Sequence, residues 1–163
     1  MIAMAKRVEV DAWAKRGSGR TSDAGTPVII DALPESGDSR YQFKIEMWRN
    51  DRNDTFAILL KGKIEGRPWE GLSRYEIQNL DHENDDRCCT PGLIEAGYFH
   101  RHIYSEKSYE HLDRWDGCAE ILDVPVSGSF EQQLIRLRGR FVLDMNIKFS
   151  DSDTVNGLFG KDL

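Results

Sequence analysis

The chain has 163 residues, 39% hydrophobic and 31% charged, with a formal net charge of −6 at pH 7. That length and apolar content suit one folded domain with its own core, and the acidic balance argues against a protein that coats nucleic acid by bulk charge, because phosphate neutralisation needs an excess of Lys and Arg. No apolar run approaches the roughly 20 residues of a spanning helix, and the opening MIAMAKRVEV lacks the apolar region of a secretion signal, so a soluble cytoplasmic protein with no membrane partner is expected.

Residues 1–27 read as an N-terminal arm and flexible linker, with a short strand through Val8 and Val10. The linker is KRGSGRTSDAGTP, residues 15–27, where Gly, Ser, Thr and Asp gather without apolar period. Residues 28–163 are expected to form a single α+β domain. VIIDAL, residues 28–33, predicts a short extended segment that ends at Pro34 and a turn at Gly37. YQFKIEMW then alternates, with Tyr41, Phe43, Ile45 and Met47 on one face and Gln42, Lys44 and Glu46 on the other. NDRND supplies turn chemistry, and Phe56, Ile58 and Leu60 continue the pattern, which predicts a β-hairpin. GLSRYEIQNL alternates again, setting Tyr75 and Ile77 against Arg74, Glu76 and Gln78.

DHENDDRCCTPG reads as an acidic loop. Asp81, Glu83, Asp85 and Asp86 lack the spacing and closing glutamate of a calcium loop, and a solvated loop is expected. Cys88, Cys89 and Cys118 are odd in number, and the adjacent pair suits neither a disulfide nor a CxxC knuckle, so reduced thiols are expected. The stretch from Ser105 to Leu122 has mixed character and carries no clear element. Ser129 followed three residues later by Gln132 predicts a helix opened by a capping box, and Phe130, Leu134, Leu137 and Phe141 lie along one stripe of that helix. Its apolar stripe should pack across one face of an antiparallel sheet. Gly139 lies inside the pattern and costs about 1 kcal/mol relative to Ala, which marks a place for a kink. Arg136, Arg138 and Arg140 crowd this helix, where an RNA-contacting ridge is one reading, but Arg136 and Arg140 form an i, i+4 pair suited to the solvent face. Trp48, Trp69 and Trp115 could stack bases, but they are scattered as packing indoles are.

YFHRHIY, residues 98–104, carries the chemistry. In a strand Tyr98, His100, His102 and Tyr104 share one face, and Phe99, Arg101 and Ile103 the other. Phe43, Ile45, Phe99, Ile103, Leu134 and Phe141 are therefore expected in one core, with Arg74, Glu76, Gln78, His100 and His102 on the opposite, open face. Two strand histidines can ligate zinc, but a third donor is needed, and only His82, Cys88 and Cys89 offer supplements without a compelling spacing. No metal and no cofactor are expected on that ground. Two solvated histidines without a role are the plainest alternative. As an acid and base pair, His100 and His102 can exchange protons near neutral pH. Arg74 beside them can stabilise a phosphoryl transition state, and Glu76 can orient an imidazole or act as base. Those are the parts of a metal-independent ribonuclease.

The series RYEIQNLDHEN, YFHRHIYSE, MNIKF and NGLF resembles a family of uncharacterised bacterial proteins of similar length, over roughly residues 40–160. HRHIY is the most specific element. More distantly the chain is similar to TumE-like toxins of toxin–antitoxin pairs, which carry a comparable histidine-rich strand after an arginine–tyrosine strand. This likeness is an analogy at the level of fold. It implies a small toxin-like protein of bacterial mobile or defence loci, with RNA as substrate and an antitoxin or defence component as protein partner. The catalytic residues expected from the strand pattern are His100, His102, Arg74 and Glu76. A non-enzymatic protein-binding module, such as a phage-encoded inhibitor of a host defence system, is the competing class. A small partner gene directly adjacent supports the first, and a cluster of phage inhibitor genes the second.

Overall fold

The computed structural model of the chain describes residues 1–16, 19, 26–78, 81–84, 92–103 and 119–150. In chain order the elements are β1 (Lys6–Val8), α1 (Val10–Arg16), β2 (Val28–Pro34), β3 (Tyr41–Asn50), β4 (Thr55–Ile64), β5 (Glu70–Ile77), β6 (His82–Glu83), β7 (Leu93–Ile94), β8 (Phe99–Ile103), β9 (Ala119–Ile121), α2 (Phe130–Asp144) and β10 (Ile147–Phe149). Eight strands form one sheet in the order β10-β1-β2-β3-β4-β5-β8-β9, and β6 pairs with β7 separately. All neighbours in the large sheet are antiparallel except β1 and β10. The fold is α+β, an antiparallel-dominated sheet with the C-terminal helix packed on it, as the hydrophobic period predicts. Among the described residues no helix is long and apolar enough to cross a membrane.

The central hairpin arises where the turn residues demand it. Asp54 adopts a φ of 48° between β3 and β4, a left-handed conformation that Asp tolerates. Between β2 and β3 the turn closes with Gly37, at φ 73°, whose N–H donates to the Pro34 carbonyl. The registers Ile45↔Leu60 and Met47↔Ile58 bring the alternating apolar residues onto one face, and Ile58↔Tyr75 and Ile77↔Phe99 carry that face across β5 and β8.

Helix α2 covers this face. Ser129 caps it through a capping box with Gln132. Leu134, Leu137 and Phe141 are buried against Phe43, Ile45 and Phe99 in one cluster, as expected, while the side chain of Ile103 lies outside the described residues. Phe141 meets Tyr75 edge-on with ring centroids 5.4 Å apart, and the Tyr75 hydroxyl donates to Asp144 Oδ2 at 2.7 Å. The helix runs on through Gly139, a buried position.

The N-terminal region differs from its reading in part. A strand does pass through Val8, but Val10 begins helix α1, which also takes in Lys15 and Arg16. Strand β1 lies between β2 and β10 in the sheet. Four short strands show no readable period: β9 within the mixed stretch, β10 after the helix, and the paired β6 and β7, of which β6 falls inside the segment DHENDDRCCTPG expected as a loop. Two or three residues are too few to show one. The remainder of the mixed stretch, residues 105–118 with Trp115 and Cys118, lies outside the described residues, as do Cys88, Cys89 and Tyr104.

Lys6 ties this region together. Fully buried, its ammonium donates to the carbonyls of Ile2 at 2.7 Å, Met4 at 2.6 Å and Met145 at 2.9 Å, and lies 5.0 Å from the Phe43 ring centroid. Burial lowers its pKa to about 8. Lys6→Met leaves three carbonyls unpaired and should destabilise the fold by about 2–4 kcal/mol at pH 7, measured by denaturant unfolding. The unfolded chain holds the Lys6 proton up to its ordinary value of 10.5, whereas the folded chain releases it near 8. Wild-type stability should therefore gain from this residue as pH rises through that window, and the variant should lack the gain.

Candidate functional site

The four residues singled out by the strand pattern meet on the sheet face opposite α2. Arg74 and Glu76 come from β5, His100 and His102 from β8, in the registers Arg74↔His102 and Glu76↔His100. Directly paired residues share a face, so the register places two imidazoles beside one guanidinium and one carboxylate.

The contacts converge on a single atom. Glu76 Oε1 lies 2.9 Å from His100 Nε2, 3.0 Å from His102 Nε2 and 3.0 Å from an Arg74 terminal nitrogen. The same Arg74 nitrogen is 3.3 Å from His102 Nε2. The imidazole centroids are 5.4 Å apart with planes at 63°. His100 Nδ1 faces the Tyr98 carbonyl at 3.2 Å. Both ring nitrogens of His100 thus face acceptors, and a ring that carries two protons satisfies both. His102 Nε2 faces the Glu76 carboxylate, which can only accept, as well as the Arg74 guanidinium, which can only donate, and a proton on Nε2 serves the carboxylate.

Burial alone raises the Glu76 carboxyl, but the hydrogen bonds from His100 and His102, with the charges of Arg74 and His102, outweigh it and hold the group far below the usual carboxylate range. So strongly ionised a carboxylate is a poor general base. Its role in this geometry is to orient the two rings.

The expectation of an open face is corrected. His100 is 2% exposed, His102 0% and Glu76 3%, and only the Arg74 side chain, 24% exposed, keeps appreciable contact with solvent. Glu46 and Leu59, in the same cross-strand row as Arg74 and His102, are also buried, Glu46 beneath ion pairs from Lys44 and Lys61. Alternation reveals which residues share a face, but not whether that face is covered.

Asn84 is the neighbouring residue that the sequence reading passed over. Its buried side-chain amide donates to the Ala119 carbonyl at 3.0 Å and accepts from the Ala119 N–H at 2.9 Å. Ala119 is the register partner of His102, so the amide joins the β6–β7 pair to the edge strand beside the cluster. An amide carries both a donor and an acceptor and can act as one more strand residue, which is the only signal the sequence held. The side chain of His82, weighed as a supplementary ligand, lies outside the described residues.

Two imidazoles and a carboxylate whose ligand atoms all lie within 4.8 Å of one another also have the donor chemistry of a divalent metal site. Arg74 bears against it: its terminal nitrogen occupies the same convergence, and a divalent ion there would face a fixed guanidinium charge. Comparison of the chain with protein families, curated proteins and solved structures finds no match.

Proposed function

We propose that the protein is a small toxin-like ribonuclease of bacterial mobile or defence loci that cleaves RNA without a metal. The observation that carries this reading is the meeting of His100 Nε2, His102 Nε2 and the Arg74 guanidinium on Glu76 Oε1. In the proposed step His102 takes the proton of a ribose 2′-hydroxyl, the 2′-oxygen bonds to phosphorus, and the bond to the 5′-oxygen breaks. His100 delivers its proton to that leaving oxygen, giving a 2′,3′-cyclic phosphate and a 5′-hydroxyl. Arg74 stabilises the charge that develops on the phosphoryl oxygens, and Glu76 holds both imidazoles in place.

The imidazoles are closed to solvent, so turnover includes an opening of the cover, and Arg74 is the member through which a phosphate first makes contact. An antitoxin or defence component is the expected protein partner under this reading. The test is incubation of the purified protein with mixed cellular RNA, wild type beside a variant lacking both histidines. Cleavage by wild type alone, with cyclic phosphate ends, supports the reading, and equal cleavage by both or by neither removes it.

One observation favours a second reading, a non-enzymatic binding module such as a phage-encoded inhibitor of a host defence system. A polar cluster with its carboxylate and both imidazoles buried rigidifies a sheet as readily as it serves chemistry. Elemental analysis separates both from a metal centre. We expect no stoichiometric zinc in the purified protein, because of the Arg74 charge, and zinc that is retained by wild type but lost on His100→Ala would overturn the metal-free mechanism.

A further inference from the structure

Arg138 is a charged residue that the fold buries with no hydrogen-bond or ion-pair partner among the described residues. It lies on α2, on the side of the sheet opposite the histidine cluster, and is 9% exposed. No hydrogen bond to its guanidinium is found among the described residues, and its Nε is sealed from solvent without an acceptor. It is the only one of the three guanidinium nitrogens in that condition, so the outer Nη edge keeps the contact with solvent. The guanidinium carbon is 5.7 Å from the Trp13 ring centroid, across the seam between α1 and α2.

The nearby charges do not neutralise it. Glu131, whose charge Arg138 feels, is held by two hydrogen bonds from Arg49, and Arg49 also pairs with Asp51. Burial lowers the Arg138 pKa, Glu131 opposes this and the Arg49 charge adds to it. Attraction to an indole face recovers only part of the cost of burying a full charge. A planar fork with sealed sides and an open edge is suited to an oxyanion that accepts in the plane and leaves its other oxygens to water.

We propose that the seam between α1 and α2 binds a phosphate-class oxyanion on the Arg138 guanidinium. This site is independent of the ribonuclease reading, since the sheet separates it from His100 and His102.

The test is thermal unfolding in buffer free of phosphate and sulfate, followed by titration with inorganic phosphate against chloride at matched ionic strength. Phosphate at ten times its dissociation constant should raise the wild-type midpoint by roughly 3–5 °C. Arg138→Met should lose this rise, and the variant lacking both histidines should keep it. A second measurement needs no Arg138 variant: phosphate should change the tryptophan emission of wild type, and Trp13→Phe should remove that change. The proposal is overturned by a midpoint that responds no more to phosphate than to chloride, by a rise that survives Arg138→Met, or by one that disappears with the histidines. A response to acetate in place of phosphate overturns the assignment of ligand class.

Discussion

RNA turnover by the variant lacking both imidazoles is expected to fall by roughly 10²- to 10⁴-fold, the usual contribution of positioned acid and base groups. The larger figure applies if both proton transfers occur in the rate-limiting step. Wild-type rate against pH should be bell-shaped, because one imidazole must be neutral and the other protonated, and EDTA should leave the rate unchanged. Burial changes how the variants must be chosen. Ala at His100 or His102 removes a hydrogen-bonding ring from a closed cluster and exposes Glu76 to an empty space, so part of any loss would come from the fold. His→Gln keeps a polar side chain facing Glu76 and is the better pair. Melting points within a few degrees of wild type, with turnover lost, mark a catalytic role. Turnover that falls only in step with the folded fraction marks a structural one.

The second large effect concerns stability. Glu76→Ala should destabilise the protein by about 3–5 kcal/mol, because it strands the Arg74 guanidinium and two imidazoles around a buried void. Glu76→Gln keeps the shape and one acceptor, and should cost about half as much. The pH dependence follows from the depressed carboxyl. In the unfolded chain Glu76 takes up its proton near its ordinary value of 4.5, while in the folded chain it stays ionised far below that. Its contribution is therefore fully present above the unfolded value and is lost as pH falls below it. Urea unfolding of wild type and Glu76→Gln between pH 7 and pH 3 should show the two curves converging toward the acid end. A constant gap would mean that the carboxylate charge contributes nothing to the fold.

The placement of the cluster was legible because the period of a strand is 2. Tyr75 and Ile77 against Arg74 and Glu76, and Phe99 against His100 and His102, sort themselves into two faces before any partner strand is known. Lys6 was legible in principle by the same rule, as a lysine in step with Val8 on an inward face, but three residues made too short a run to weigh. Arg138 was hidden by its neighbours. Arg136 and Arg140 do lie toward solvent, reaching the Pro125 carbonyl and Asp144 respectively, and a charged residue between them in the sequence reads as one more of the same. A helix turns by 100° per residue, so Arg138 faces α1 instead.

The sequence by itself determined the α+β class, the central hairpin, the capped C-terminal helix and the two faces of strands β5 and β8, because each follows from a local period or a cap within about ten residues. Tertiary structure alone decided that the histidine face is covered, that Asn84 joins the β6–β7 pair to β9, and that Arg74, Glu76, His100 and His102 meet on one oxygen. Those outcomes depend on strand order and on what packs above the sheet, relations between residues far apart in the chain that no local pattern encodes. For the same reason the chain's period names the residues of the candidate site, whereas its closure to solvent, on which the proposed chemistry turns, belongs to the folded molecule.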